Sequence, residues 1–244
     1  MGEVNINEKI DAFLKSAISR CFAGDFSTAV EDLKAAEVLD KENPTILYNL
    51  GICYTRTGLH RTALEYFEKA VRINQQNQVS DPIPYIAIGK TYAQMGEFFS
   101  AARNVRKALE INPNNPDVYG TLGLVYFRAR NYESAIPALK CATYGCTAEE
   151  SCDVRQCDAE ADAPLVIEGM PLSQNTVIYY YTYGSVLAGM HRPGLPYCTD
   201  AVQVLGVVRD GFSADVDIMS IIEASEDICA RYGITRQPII TPTP

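Results

Sequence analysis

Residues 44–77, PTILYNLGICYTRTGLHRTALEYFEKAVRINQQN, order their apolar positions with the period of a helix. Leu47, Leu50, Gly51 and Tyr54 fall at i, i+3, i+4 and i+7. After Gly58, the residues Ala63, Phe67, Ala70 and Ile73 recur at steps of three and four. This pattern predicts one amphipathic helix, a turn at the glycine, and a second amphipathic helix. Gly51 and Ala63 are small enough to let the two backbones approach, with Tyr54 and Phe67 filling the space beside them. Neither helix can bury its apolar stripe alone, so the unit requires neighbours of its own kind.

Those neighbours are present. Residues 82–115 repeat the spacing with Tyr85, Ile88, Gly89, Tyr92, Gly96, Ala101, Val105, Ala108 and Ile111. Residues 116–149 repeat it with Tyr119, Leu122, Gly123, Tyr126, Ala135, Leu139 and Ala142. A weaker copy at 10–43 has Phe13, Gly24, Phe26, Ala29, Leu33, Ala36 and Leu39, with Ser16, Ala17 and Arg20 at positions that are branched apolar, glycine and tyrosine elsewhere. A 34-residue period with these residues resembles the tetratricopeptide repeat (TPR) family, over about 140 of the 244 residues. The resemblance implies an all-α fold, a right-handed α-solenoid of TPR-type helix hairpins, and an interaction scaffold rather than any one activity.

The repeat block 10–149 is followed by an acidic, Cys-rich insertion at 150–175, TPR-like helices over 176–232 that form a C-terminal cap, and an extended Ile/Pro tail at 233–244. The insertion reads as an ordered excursion held by disulfides rather than a helix pair. Its cysteine spacings are not a paired CxxC pattern and no His lies near, which argues against zinc. Its acidic residues lack the order of a calcium loop. Residues 176–190 return to first-helix spacing, the loop HRPGLPY delays the partner helix to about 198–209, and a last helix covers about 215–231. That last helix reads as apolar on much of its circumference. Pro137 falls in the first turns of its helix, where proline costs least. His60 reads as a ring packed in a helix-pair corner, and His191 as a surface residue.

Charge and cysteine usage narrow the setting. The net charge of −9, with scattered Lys and Arg, argues against nucleic acid and anionic membrane as partners. No apolar run reaches the length of a membrane span, and the first residues show neither a secretory signal nor a myristoylation pattern. Cys21 and Cys53 read as small buried apolar residues on first helices. Cys141, Cys146, Cys152, Cys157, Cys198 and Cys229 are disulfide candidates, with Cys198–Cys229 a plausible antiparallel bridge. This usage favours an extracellular or cell-surface location over the cytoplasm.

The TPR resemblance also implies a concave groove lined by first helices. Carried onto this chain, its positions include Leu14, Ile18 and Phe22, then Tyr48, Ile52 and Arg56, then Ile86, Lys90 and Gln94, then Leu124, Phe127 and Arg128. In chaperone-clamping TPR modules, Lys and Asn stand where this chain has Leu14 and Ile18, so an apolar helix or strand suits this groove better than a carboxylate terminus. Some of these residues equally fit packing against the next turn of the solenoid. No catalytic set can be assembled, since there is no GxSxG, HExxH or phosphate loop, so neither enzyme activity nor a cofactor or metal is expected. Two readings remain. In one, the chain is a structural subunit assembling head to tail, as a filament, through apolar solenoid ends and tail contacts by Ile234, Ile239 and Ile240. In the other, it is an adaptor taking an apolar peptide or helix of another protein in its groove.

Overall fold

A computed structural model describes residues 5–158, 162–195 and 197–236. Among the described residues there are twelve helices, and the chain forms two compact units that divide after Asn112.

The first unit contains α1 (Ile6–Phe22), α2 (Phe26–Leu39), α3 (Pro44–Arg56), α4 (His60–Gln76), α5 (Ile83–Gln94) and α6 (Phe98–Ile111), each consecutive pair forming a hairpin. The chain marks the helix starts chemically. The Asn5 side chain accepts from the Asn7 N–H, Asp25 from Thr28, and Asn43 from Thr45 and Ile46 ahead of a first-position proline. Inside the second hairpin, a Cβ on Gly51 would lie 2.4 Å from the Phe67 ring. Inside the third, a Cβ on Gly89 would lie 2.5 Å from Val105 Cγ2. Ala17 and Leu33, both buried, hold the same two positions in the first hairpin. The hairpin core is therefore a small residue on the first helix seated against a large one sixteen residues on.

The second unit begins with α7 (Pro116–Arg128) and α8 (Tyr132–Thr143), where Gly123 meets Leu139 in the same way, at 2.6 Å from Cβ to Cγ. It continues with α9 (Ala148–Arg155), α10 (Val177–Met190), α11 (Tyr197–Phe212) and α12 (Val216–Ala230). Gly184 on α10 meets Leu205 on α11, so the fifth hairpin keeps the device despite its longer loop. Pro137 sits at the sixth position of α8, beyond the first turn, so the Glu133 carbonyl loses its helical donor.

The insertion is held by disulfides and forms no helix pair, as the sequence indicates, but it carries one short helix that the sequence reading did not place. Residues 148–155 form a helix because Thr147 and Glu150 make a capping box, with Thr147 Oγ1 accepting from the Glu150 N–H and Glu150 Oε2 from the Thr147 N–H. The Thr-x-x-Glu signature was legible; the surrounding cysteines masked it. Disulfide Cys141–Cys146 lies just before this helix, and Cys152–Cys157 ties its last turn to the residues that follow. Cys146 and Ile167 exchange backbone hydrogen bonds at 3.0 Å each way, which seats Ile167 in the core. Gly169 passes so close to α8 that a Cβ there would lie 2.3 Å from the Thr143 carbonyl.

Two further expectations are corrected. His191 is not a surface residue. Its Nδ1 accepts from the Cys198 N–H at 3.2 Å, and its ring meets Tyr232 edge-on at 4.5 Å, joining the ends of α10, α11 and α12. The last helix is also less apolar than expected. Ile218, Ile222 and Cys229 face inward, while exposed Val216 and Ile221 stand among Asp217, Ser220, Glu223 and Asp227. The third disulfide, Cys198–Cys229, ties α11 to α12.

Two outcomes follow for the second unit. The first three repeat turns place Gly24, Gly58 and Gly96 at φ of +82°, +78° and +79°, whereas the fourth places Arg130, an exposed residue, at +57°. Arg130→Gly should therefore stabilise this unit by about 1 kcal/mol in denaturant unfolding, because glycine pays no steric cost there. Burial also raises the phenols of Tyr179 and Tyr183, and pushes Tyr119 up to about 12. An unfolded tyrosine ionises near 10, so the stability these neutral phenols contribute is complete below that pH and lost as pH rises towards 12. The urea midpoint should fall between pH 9 and pH 11, with phenolate absorbance appearing as helicity is lost.

Candidate protein-docking face

The groove positions fall at i, i+4 and i+8 on α1, α3 and α5 and at i, i+3 and i+4 on α7, so each set shares one helical face. In the first unit that face grades from core to solvent along each helix. On α1, Leu14 packs on the core of the first two hairpins, Ile18 is 41% exposed and Phe22 is 89% exposed. On α3, Tyr48 and Ile52 are half-buried against the cluster that holds Phe67 and Ile88, and Arg56 reaches solvent. Tyr48 meets the Phe67 ring at 5.7 Å, and burial raises its phenol pKa. On α5, Ile86 is half-buried while Lys90 and Gln94 are exposed. Tyr48 and Ile52 therefore pack between hairpins, whereas α1 presents bare apolar side chains.

In the second unit, Leu124 is half-buried and Arg128 exposed on α7. Phe127 is partly exposed and lies against the Tyr132 ring at 6.1 Å. Ile234 folds back on its own chain: its N–H donates to the Cys229 carbonyl at 3.2 Å, and it lines a cleft with Val202, Gly206 and Val207 of α11. Arg236 holds this segment through Asp210 at 2.6 Å. Ile239 and Ile240 lie outside the described residues.

Sequence reasoning passed over Val38, which is 76% exposed on α2. The signal was available, since Val38 stands off the inward stripe of Ala29, Leu33 and Ala36. It also treated Cys21 and Cys53 as unrelated fillers, although Cys53 is buried, Cys21 is only half-buried, and their sulfurs lie 2.8 Å apart. His60 is half-buried in its corner, with Nδ1 shielded from solvent. Among the described residues no three or more His, Cys, Asp or Glu side chains gather as a metal site, and no helix is long and apolar enough to cross a membrane.

Family models described as tetratricopeptide repeat match residues 42–114 and 105–136. The chain is 28% identical over 129 residues to the bovine (Bos taurus) protein named BBSome complex member BBS4, covering 53% of this chain and 24% of that one. The chain thus spans about a quarter of the length of the curated relatives it matches first. Among solved structures, the APC/C hetero-tetramer Cut9-Hcn1 superposes with a TM-score of 0.64 at 13% identity, over 92% of this chain and 37% of that one. The TPR protein TTC0263 from Thermus thermophilus superposes with a TM-score of 0.59 at 14% identity, over 88% and 98%. These structural likenesses concern the hairpin-repeat fold.

Proposed function

We propose that this chain, a member of the tetratricopeptide-repeat family, is a non-enzymatic scaffold subunit whose first hairpin docks an apolar helix or extended segment of a partner protein. The observation that carries this reading is the stripe Leu14, Ile18, Phe22 on α1, which ends in an aromatic ring almost wholly in water. Leaving apolar surface wet costs roughly 25 cal/mol per Å², and exposed apolar patches of this kind mark docking surfaces. Arg56 and Lys90, exposed on the same faces of the next two first helices, suit a segment that carries carboxylates beyond its apolar teeth. The relatives named as a BBSome complex member and as anaphase-promoting complex subunit 3 (Schizosaccharomyces pombe, 28% identical over 128 residues) are members of multiprotein complexes, which supports a subunit role.

Head-to-tail self-assembly is the second reading, favoured by Val216 on α12, 80% exposed at the other end of the chain. The mixed acidic face around Val216 makes this end the weaker docking surface. Three disulfides support an oxidising setting, outside the cell or at its surface.

A photo-crosslinking amino acid at Phe22, installed in the cells that make the protein, should yield an adduct with a second polypeptide that is absent when the group replaces Glu65, an exposed residue of α4. Phe22→Glu should abolish the complex while leaving the helical signal unchanged. An adduct made of two copies, with concentration-dependent light scattering, would shift the reading to self-assembly. No adduct at Phe22 beyond the Glu65 background would remove the docking role.

A further inference from the structure

Cys21 lies in the last turn of α1 and Cys53 in the last turn of α3, thirty-two residues apart in sequence, with Sγ to Sγ 2.8 Å. A covalent S–S bond is about 2.05 Å, so forming one needs less than an ångström of movement. The two side chains approach at the sparse contact between α1 and α3, which otherwise meet mainly through α2. Their environments differ. Cys53 is buried in the core of the first two hairpins, while Cys21 packs on that core from a half-exposed position one residue before Phe22.

We infer that Cys21 and Cys53 form a reversible redox couple, a fourth cross-link that staples the first hairpin of the chain to the second. The cross-link can form whether or not the docking role proposed above holds. The oxidant is a low-molecular-weight disulfide such as oxidised glutathione. The Cys21 thiol loses its proton and its sulfur attacks one sulfur of the oxidant, breaking that S–S bond and forming a mixed disulfide; the departing thiolate takes the proton. The Cys53 thiol then loses its proton, its sulfur displaces the second thiolate from Cys21, and that thiolate leaves protonated. Two electrons and two protons have moved from the protein to two small thiols, and one S–S bond joins α1 to α3.

The order of attack follows from access. Cys21 is partly exposed and meets the oxidant first, whereas burial raises the thiol pKa of Cys53 and shields it, so Cys53 acts second, on a mixed disulfide that forms within reach of its sulfur. The consequence is mechanical. Because α1 touches α3 only sparsely, the bond would fix α1 in place against it. Oxidation would thus hold the Phe22 stripe beside α3, and reduction would release it to fray.

The full chain is equilibrated in glutathione buffers of rising oxidised fraction, quenched with acid, alkylated and digested. Cys21 and Cys53 should lose alkylation together and appear as one cross-linked peptide pair, two hydrogens lighter than the separate peptides. Cys53→Ala should stop at a glutathione adduct on Cys21, and the oxidised wild-type chain should melt about 5 °C or more above the C53A variant. The inference is overturned if both residues remain alkylated in buffers that keep Cys198–Cys229 bonded. It is equally overturned if wild-type Cys21 accumulates as the glutathione adduct with Cys53 still free.

Discussion

In four of the five described hairpins one helix lacks a side chain where the other has a large one, and in the first hairpin Ala17 takes that place. Gly51, Gly89 and Gly123 leave room for Phe67, Val105 and Leu139, and in every case a single added carbon would stand within 2.6 Å of the partner. That spacing is well inside van der Waals contact, so the interhelical distance is set by the missing Cβ. Close backbones in turn bring the flanking apolar residues into register, and the helices then bury a continuous stripe rather than scattered contacts. Glycine in a helix interior costs roughly 1 kcal/mol against alanine; the packing it permits repays that several times over.

The fifth hairpin shows how far this constraint extends. Gly184 and Leu205 are twenty-one residues apart instead of sixteen, because the loop after α10 is longer, yet their contact matches that of the regular repeats. The chain absorbs the extra length between α10 and α11 and returns α11 to the place a second helix must occupy. Its ends are then fixed by other means: His191 accepts from the Cys198 N–H, and Cys198 is bonded to Cys229 of α12. The insertion before α10 is likewise subordinate to the hairpins. Gly145 and Gly169 allow it to cross the end of α8 at backbone contact, and Tyr180 of α10 donates to the carbonyls of Thr143 and Met170 on either side of that crossing.

The repeating part of the molecule was therefore readable from residue spacing, because periodic glycines and apolar residues carry the geometry directly. The helices of 44–56 and 60–76 fall where the pattern places them. What escaped reading was non-periodic. The capping box at Thr147 was hidden among cysteines, His191 gains its role only from residues far along the chain, and α12 splits its apolar residues between an inner and a mixed outer face. For the docking face, position on the helix was legible but exposure was not. Tyr48 and Phe22 both fall on the groove face of their helices, yet Tyr48, in the first half of α3, packs against the cluster of Phe67 and Ile88, whereas Phe22, at the end of α1, lies in water as Arg56 and Gln94 do at the ends of α3 and α5.

The most direct test of the close-approach account is a double-mutant cycle on Gly123 and Leu139, followed by denaturant unfolding. Gly123→Ala should destabilise the second unit by about 1–3 kcal/mol through overpacking, and Leu139→Ala by about 2–5 kcal/mol through the cavity it leaves. In the double variant the new methyl occupies the vacated space, so the combined loss should fall short of the sum by at least about 1 kcal/mol. Losses that add to within about 0.5 kcal/mol would contradict the account, since they would mean that the two positions do not set each other's distance.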